Sequence, residues 1–223
     1  MTLIQKDRIV SDDQTKEILL KKLTEIETAI SKYADTNENI GVLSGLSGMA
    51  LFQYYHAKFK DSSDSEEIGE SLLIATINKM NEGYSMPTYC TGIAGAGWVI
   101  DHLELENLIG FNSDELLANL DDYLYSIFSN QVEIGHYDFL HGAIGYVFYF
   151  YNRFRNTNSP QLKSRYTSIL HEFLKSLENL AIVDDQGLYK WKSELRVEQA
   201  EQGFNFSLSH GISSIIVILS KLY

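Results

Sequence analysis

Apolar residues recur along most of this chain at intervals of three and four, the period of a helix that buries one face. Residues 14–33 set Ile18, Leu19, Leu23, Ile26 and Ile30 on one stripe and keep Lys and Glu elsewhere. Residues 65–81 repeat the pattern through Ile68, Leu72, Leu73 and Ile77, and residues 113–129 through Leu116, Leu117, Leu120, Leu124 and Phe128. A fourth stripe, over 160–180, runs through Leu162, Tyr166, Ile169, Leu170, Phe173, Leu174 and Leu177, with Pro160 suited to a helix start. The pattern predicts four amphipathic helices with charged outer faces.

Between them lie segments of a different kind. Residues 49–59 and 146–154 are apolar nearly all round, the mark of a helix buried on every side. Each such inner helix opens on a Gly-centred box. The four boxes are Leu43-Ser44-Gly45-Leu46-Ser47-Gly48, Cys90-Thr91-Gly92-Ile93-Ala94-Gly95, Leu140-His141-Gly142-Ala143-Ile144-Gly145 and Ser209-His210-Gly211-Ile212-Ser213-Ser214. Their lead glycines are 47, 50 and 69 residues apart by subtraction, a spacing that signals a repeat architecture. Breaker-rich loops at 61–65, 82–86, 107–112 and 156–160 separate the elements. The interval before the fourth box is longer. Its extra segment, 183–206, holds the turn signal Asp184-Asp185-Gln186-Gly187 and then Leu188-Tyr189-Lys190-Trp191, predicted as a short strand. Long loops in compact domains are often functional, which makes this one the candidate peptide contact.

Outer and inner helices alternating four times give either a solenoid or an α/α toroid, and a buried inner ring inside a charged outer one favours the toroid. The expectation is a single all-α domain over residues 1–223, with about four helix pairs of an incomplete ring. The last inner helix, 212–223, ends apolar with no outer helix after it, whereas terminal repeats carry a polar face. The chain therefore reads as truncated relative to a longer toroid.

Composition narrows the function classes. A net charge of −12 argues against nucleic-acid binding, which needs clustered Lys and Arg. It is compatible with a basic peptide partner and with a simply solvated acidic surface. One cysteine, Cys90, excludes an internal disulfide and a multi-Cys metal site within this chain. No apolar run approaches the ~20 residues of a membrane span, and the charged first 13 residues are not a secretory signal. These features predict a cytoplasmic protein with no integral membrane segment.

Within the boxes, glycines three apart let neighbouring backbone approach closely, which is a packing role. Four residues before each lead Gly stand Gly41, Thr88, Asp138 and Ser207, all N-cap types. Directly before it stand Ser44, Thr91, His141 and His210. Ser and Thr there also fit caps; His does not. A helix N-terminus favours an uncharged imidazole, the form that accepts a proton, so His141 and His210 are candidate proton carriers. His56, His102 and His171 have no such placement, while His136 lies two before Asp138. Cys90 is expected at the inner mouth, as a small packing residue rather than a nucleophile.

The segments Tyr89-Cys90-Thr91-Gly92-Ile93-Ala94-Gly95, Asp138-Phe139-Leu140-His141-Gly142-Ala143-Ile144-Gly145 and Asn205-Phe206-Ser207-Leu208-Ser209-His210-Gly211-Ile212 resemble the lanthionine synthetase C-like proteins, the lantibiotic cyclases and their relatives. The resemblance runs from Gly41 to the end. It implies an α/α toroid of seven inner and seven outer helices, roughly twice this length. It implies lantibiotic biosynthesis: addition of a Cys thiol of a dehydrated precursor peptide to dehydroalanine or dehydrobutyrine, closing a thioether ring. By position His210 matches the family's catalytic His, and Asp138 the acidic residue that assists it. A zinc ion activates the thiol in the family, held by two Cys and one His from later Trp-Cys-Tyr-Gly-like and Cys-His-Gly-like motifs. Neither motif occurs here, so the resemblance implies no metal ligands and no cofactor in this chain, with zinc only where the missing half is present. This chain alone is then expected to be inactive. A dehydratase partner and, as in some relatives, glutathione-like thiols belong to the same set of expectations. The alternative is a non-catalytic peptide-binding or partner-assembling module of the same fold. An unrelated toroid glycosidase would need paired inner carboxylates, and Asp138 is the only carboxylate in the four box approaches.

Overall fold

A computed structural model describes residues 12–192 and 203–223. The middle of the long loop, 193–202, and most of the charged N-terminal segment, 1–11, lie outside the described residues.

The regular structure is almost entirely helical. The outer helices are α1 (Asp13–Tyr33), α3 (Ser63–Asn81), the short α5 (Ser113–Leu116) leading into α6 (Ala118–Glu133), and α8 (Pro160–Leu180). The inner ones are α2 (Leu46–Lys60), α4 (Ile93–Leu105), α7 (Ala143–Asn156) and α9 (Ile212–Leu222). The predicted strand forms as β2 (Tyr189–Lys190), paired antiparallel with β1 (Ile182–Val183) across the Asp184–Gly187 turn, where Gly187 adopts φ +77°. Among the described residues no helix is long and apolar enough to cross a membrane.

Inner and outer helices start by different means. Asp12, Ser62, Asn112 and Ser159 each accept a backbone N–H in the first turn of α1, α3, α5 and α8. Caps of this kind contribute about 1 kcal/mol each. The inner helices instead begin on the lead glycines Gly45, Gly92, Gly142 and Gly211, with no side-chain cap. The residues four positions earlier therefore do not cap these helices.

The inner helices pack in a row, α2 on α4, α4 on α7 and α7 on α9. From outside, α1 and α3 pack on α2, α6 on α4 and α7, and α8 on α7. Backbone hydrogen bonds stitch the box loops together at one end of that row. Gly41 N–H donates to Thr91 O (2.8 Å), Cys90 N–H to Leu140 O (3.0 Å) and Phe139 N–H to Ser209 O (3.2 Å). Each loop thus satisfies polar backbone groups of the next one. The second glycine of a box permits this approach. At Gly145 a Cβ would lie 2.4 Å from Phe139 O and 2.9 Å from the Tyr89 side chain.

Three sequence expectations change. The 113–129 helix breaks at Leu117, and its first residue is held from outside: the Ser113 N–H donates to Glu104 and its hydroxyl to Asp101. The α1 stripe is only partly used. Ile30 is buried, but Ile18, Leu19 and Ile26 stay exposed, since α1 meets α2 only weakly. Finally, α7 is not apolar all round. It buries Arg153 completely, ion-paired to Asp101 at 2.9 Å and Asp121 at 3.5 Å. Tyr149 and Tyr166 donate their hydroxyls to the two oxygens of Asp121. Asp114 stands 3.2 Å from the same guanidinium, a charge contact without hydrogen-bond geometry. Burial raises the Asp101 carboxyl above its ordinary value, and Arg153 offsets this only in part.

Candidate functional site

The third and fourth box loops meet at Asp138 and His210. The chain leaves α6, makes a tight turn over residues 139–141, and enters α7 at Ala143. Asp138 holds that turn. Its Oδ1 accepts the N–H of Leu140 at 2.8 Å and of His141 at 2.7 Å. Equivalent positions do the same with a hydroxyl: Thr88 accepts from Thr91 N–H at 3.3 Å, and Ser207 from His210 N–H at 3.1 Å. In the second, third and fourth boxes the residue four before the lead glycine is a turn cap, one step upstream of the helix; the first box has Gly41 there.

Asp138 differs in having a second oxygen. Its Oδ2 lies 2.5 Å from His210 Nδ1, joining residues 72 apart in sequence. A carboxylate only accepts, so the hydrogen is assigned to Nδ1, and the neutral ring keeps its lone pair on Nε2. The Asp138 side chain is 3% exposed and that of His210 30% exposed. One partner is thus shielded from water while the other reaches the surface. A buried carboxylate that orients a more exposed imidazole is an arrangement suited to proton transfer.

The His141 ring stacks on the His210 ring, with centroids 6.0 Å apart and planes at 16°. His141 is exposed, and among the described residues its ring makes no hydrogen bond. Behind His210 is a cavity of about 20 Å³, room for one water molecule, lined by His136, Tyr137, Asp138, Trp191 and Lys192 among others. Trp191 and Lys192 arrive from β2, anchored where the Trp191 indole N–H donates to Leu177 O at 2.8 Å. The described start of the long loop therefore borders the site, a placement that the turn signal at Asp184–Gly187 hints at but does not specify. A larger groove between α1 and α3 contains none of these residues.

The remaining candidates are placed elsewhere or held by structural partners. His136 Nδ1 pairs with Gln131 Oε1. His56 is buried against Ser65 and Glu27, and His102 bonds the Tyr55 hydroxyl and stacks on Trp98. Half-buried Cys90 packs its sulfur 3.9 Å from the Ser44 hydroxyl. Zinc, which the family resemblance implies, needs three or four converging His, Cys or carboxylate groups. Among the described residues no such group of three stands together.

The family model described as lanthionine synthetase C-like protein matches residues 8–223. No curated protein matches the chain.

Proposed function

The chain belongs to the lanthionine synthetase C-like family, and from that premise we propose that Asp138 and His210 return the proton that completes thiol addition to a dehydrated peptide. The 2.5 Å contact between Asp138 Oδ2 and His210 Nδ1 carries this reading. In the reaction the sulfur forms a bond to the β-carbon of dehydroalanine or dehydrobutyrine. The double-bond electrons move toward the adjacent carbonyl as an enolate, and the α-carbon then takes a proton. The proton that the thiol releases, passed directly or through solvent, first charges the ring at Nε2, the edge not engaged by Asp138, and His210 then gives it to the α-carbon. Asp138 stabilises the imidazolium beforehand and fixes the ring orientation throughout. A positioned acid of this kind contributes about 10²–10⁴ in rate. The product is a thioether ring, and the substrate must come from a dehydration reaction on Ser or Thr, so a dehydratase is the partner this chemistry calls for.

A peptide bearing dehydroalanine and selenocysteine isolates this step. A selenol is already ionised at neutral pH, so only protonation of the carbon needs the protein. Released from its diselenide at time zero, the peptide is followed by the mass shift of uncyclised selenol after alkylation. Inactivity of this chain alone is expected only for a thiol that needs zinc. On the selenol peptide, which does not, the 223-residue chain is expected to accelerate ring closure over buffer, and His210→Asn to remove the acceleration with helicity intact. An unchanged rate in His210→Asn, or no acceleration by the wild-type chain, refutes the reading.

A further inference from the structure

We propose that Trp191 is a positioning residue of this site: its ring walls water off the Asp138–His210 pair and so keeps the imidazole aimed. The inference rests on the reading of His210 above and adds the part that the segment after α8 plays in it. A carboxylate holds an imidazole in one tautomer and one orientation only while water does not compete for its oxygens. Hydrogen bonds and charges interact more strongly where solvent is excluded. The Asp138 side chain, 3% exposed, is kept in such a place, whereas that of His210, 30% exposed, reaches solvent. What keeps water from the Asp138 side is therefore part of the site.

Three observations single out Trp191. It lines the cavity of about 20 Å³ together with Asp138 and His210, so the space that water can enter beside the pair has this side chain as a wall. That space admits one water molecule, and without the indole it would admit several. Next, the indole is fixed by a bond that α8 leaves open. Ala181 N–H turns to Glu178 O at 3.3 Å, and the Trp191 indole N–H takes the neighbouring Leu177 carbonyl at 2.8 Å. A helix end whose last carbonyls lack partners is satisfied in this way by a side chain. Leu177 is itself buried, so the anchor belongs to the core. Last, Trp191 packs against the hydrophobic core while its neighbours Leu188 and Tyr189 stay exposed, at 59% and 64%. Of the four residues 188–191, the one that turns inward is the one that borders the pair.

The indole acts through the pair and not on the substrate. Its one donor is engaged by Leu177 O, so what it can offer the cavity is its apolar ring. With the wall in place, Asp138 Oδ2 has His210 Nδ1 as its partner. With the wall removed, water offers Oδ2 other donors, and in a fraction of molecules the imidazole turns or exchanges tautomer. Only molecules with Nδ1 on Asp138 present Nε2 for the transfer to the α-carbon. The rate then falls with that fraction, while peptide binding does not. This task differs from the peptide contact that its length suggests for segment 183–206: Trp191 closes the site from behind.

Trp191→Ala and Trp191→Phe in the full chain, compared on the selenocysteine peptide, test the assignment. Trp191→Ala is expected to lower kcat by about 10²-fold, the effect of a misplacement of about 1 Å, with KM unchanged. Trp191→Phe loses the bond to Leu177 O but keeps an apolar wall, and is expected to recover most of kcat. A spectroscopic arm needs no turnover. The Nδ1 proton of His210, identified by its loss in His210→Asn, gives a downfield proton resonance while the bond to Asp138 shields it from exchange. That resonance is expected to persist in Trp191→Phe and to vanish in Trp191→Ala, with helicity intact in both. A wild-type kcat in Trp191→Ala overturns the inference, as does a raised KM with kcat intact, which marks a substrate contact. A Phe variant as slow as the Ala variant overturns the wall in favour of the anchor on α8, and a resonance that survives in Trp191→Ala overturns the shielding. None of these results touches the reading of His210, which fails when the wild-type chain gives no acceleration or His210→Asn keeps it.

Discussion

Asp138→Asn separates the two tasks that one carboxylate performs. Asparagine has an oxygen that can accept both backbone N–H groups of the 139–141 turn, and an NH₂ that can only donate. With the oxygen on the turn, where Leu140 and His141 N–H lie at 2.8 and 2.7 Å, the NH₂ faces His210 Nδ1. Nδ1 must then accept, and the ring hydrogen moves to Nε2. The opposite orientation keeps the His210 bond but sets the NH₂ against two N–H donors, leaving each unpaired at about 1–3 kcal/mol. The first orientation wins. Stability in Asp138→Asn should therefore stay within about 1 kcal/mol of wild type, whereas Asp138→Ala loses the turn cap at about 0.5–2 kcal/mol. The activity order is different. Holding an imidazole in the wrong tautomer costs on the order of 10⁴ in serine-protease triads, so Asp138→Asn should be nearly as inactive as Asp138→Ala on the selenocysteine peptide. Urea midpoints give the stability and alkylation mass shifts the rate. Full activity in Asp138→Asn would refute the role of Nδ1–H. A urea midpoint as low as that of Asp138→Ala would refute the shared-oxygen account of the turn.

Other perturbations test the frame that holds the site. Arg153→Met leaves Asp101 and Asp121 buried without their cation and should cost about 3–5 kcal/mol by urea unfolding; a loss below that of the Asp138→Ala cap would contradict the buried ion pairs. Asp101 has its folded-state carboxyl raised above the ordinary 3.8 by burial. The folded chain then holds that proton more readily than the unfolded one, and stability from this group falls as pH rises above 3.8. Asp101→Asn, which cannot ionise, should accordingly gain on wild type between pH 4 and neutrality; the reverse trend in urea midpoints would show that Arg153 outweighs burial. Gly145→Ala forces a methyl to within 2.4 Å of Phe139 O and should destabilise by about 1–3 kcal/mol. Gly110→Ala, with open space around it, should leave the midpoint near wild type.

How much of this was legible in the sequence differs by element. The α8 stripe predicts residues 160–180, and the helix covers them all, because one apolar face, Pro160 at its first position and the Ser159 cap agree. The turn and short strand after α8 were equally readable, since Asp184, which accepts the Gln186 and Leu188 N–H groups, and Gly187, at φ +77°, fix the turn locally. Periodicity could not show that Ser113 is pulled toward Asp101, as that bond joins separate helices. Nor could it show that Arg153 of α7 is buried, because its carboxylate partners lie up to 52 residues away. At the site, His210, Asp138 and His141 could be singled out by their places in the boxes. Their contact could not, since it depends on the stitching of one loop to the next.

That stitching explains why chemistry appears at boxes three and four and not at one and two. Each loop has a position four before the lead glycine, which caps the turn in boxes two to four and is Gly41 in the first, and a position just before that glycine, and the fold asks little of either. A hydroxyl suffices for the cap, as Thr88 and Ser207 show, and a Ser or Thr suffices before the glycine. A hydroxyl that accepts the turn's N–H has no second oxygen and no charge to offer a neighbour's imidazole. A carboxylate in the same place caps with one oxygen and keeps the other. At Asp138 that spare oxygen points across the loop junction, where the next box carries an imidazole instead of a hydroxyl. Asp138→Ser makes the argument testable. Serine should keep the turn capped, as Ser207 does, and hold stability near wild type. It should also leave His210 without its anion and the selenocysteine peptide at the rate of Asp138→Ala. If Asp138→Ser closed the ring at the wild-type rate, the second oxygen would have no part in the reaction, and the third box would be a packing unit like the first.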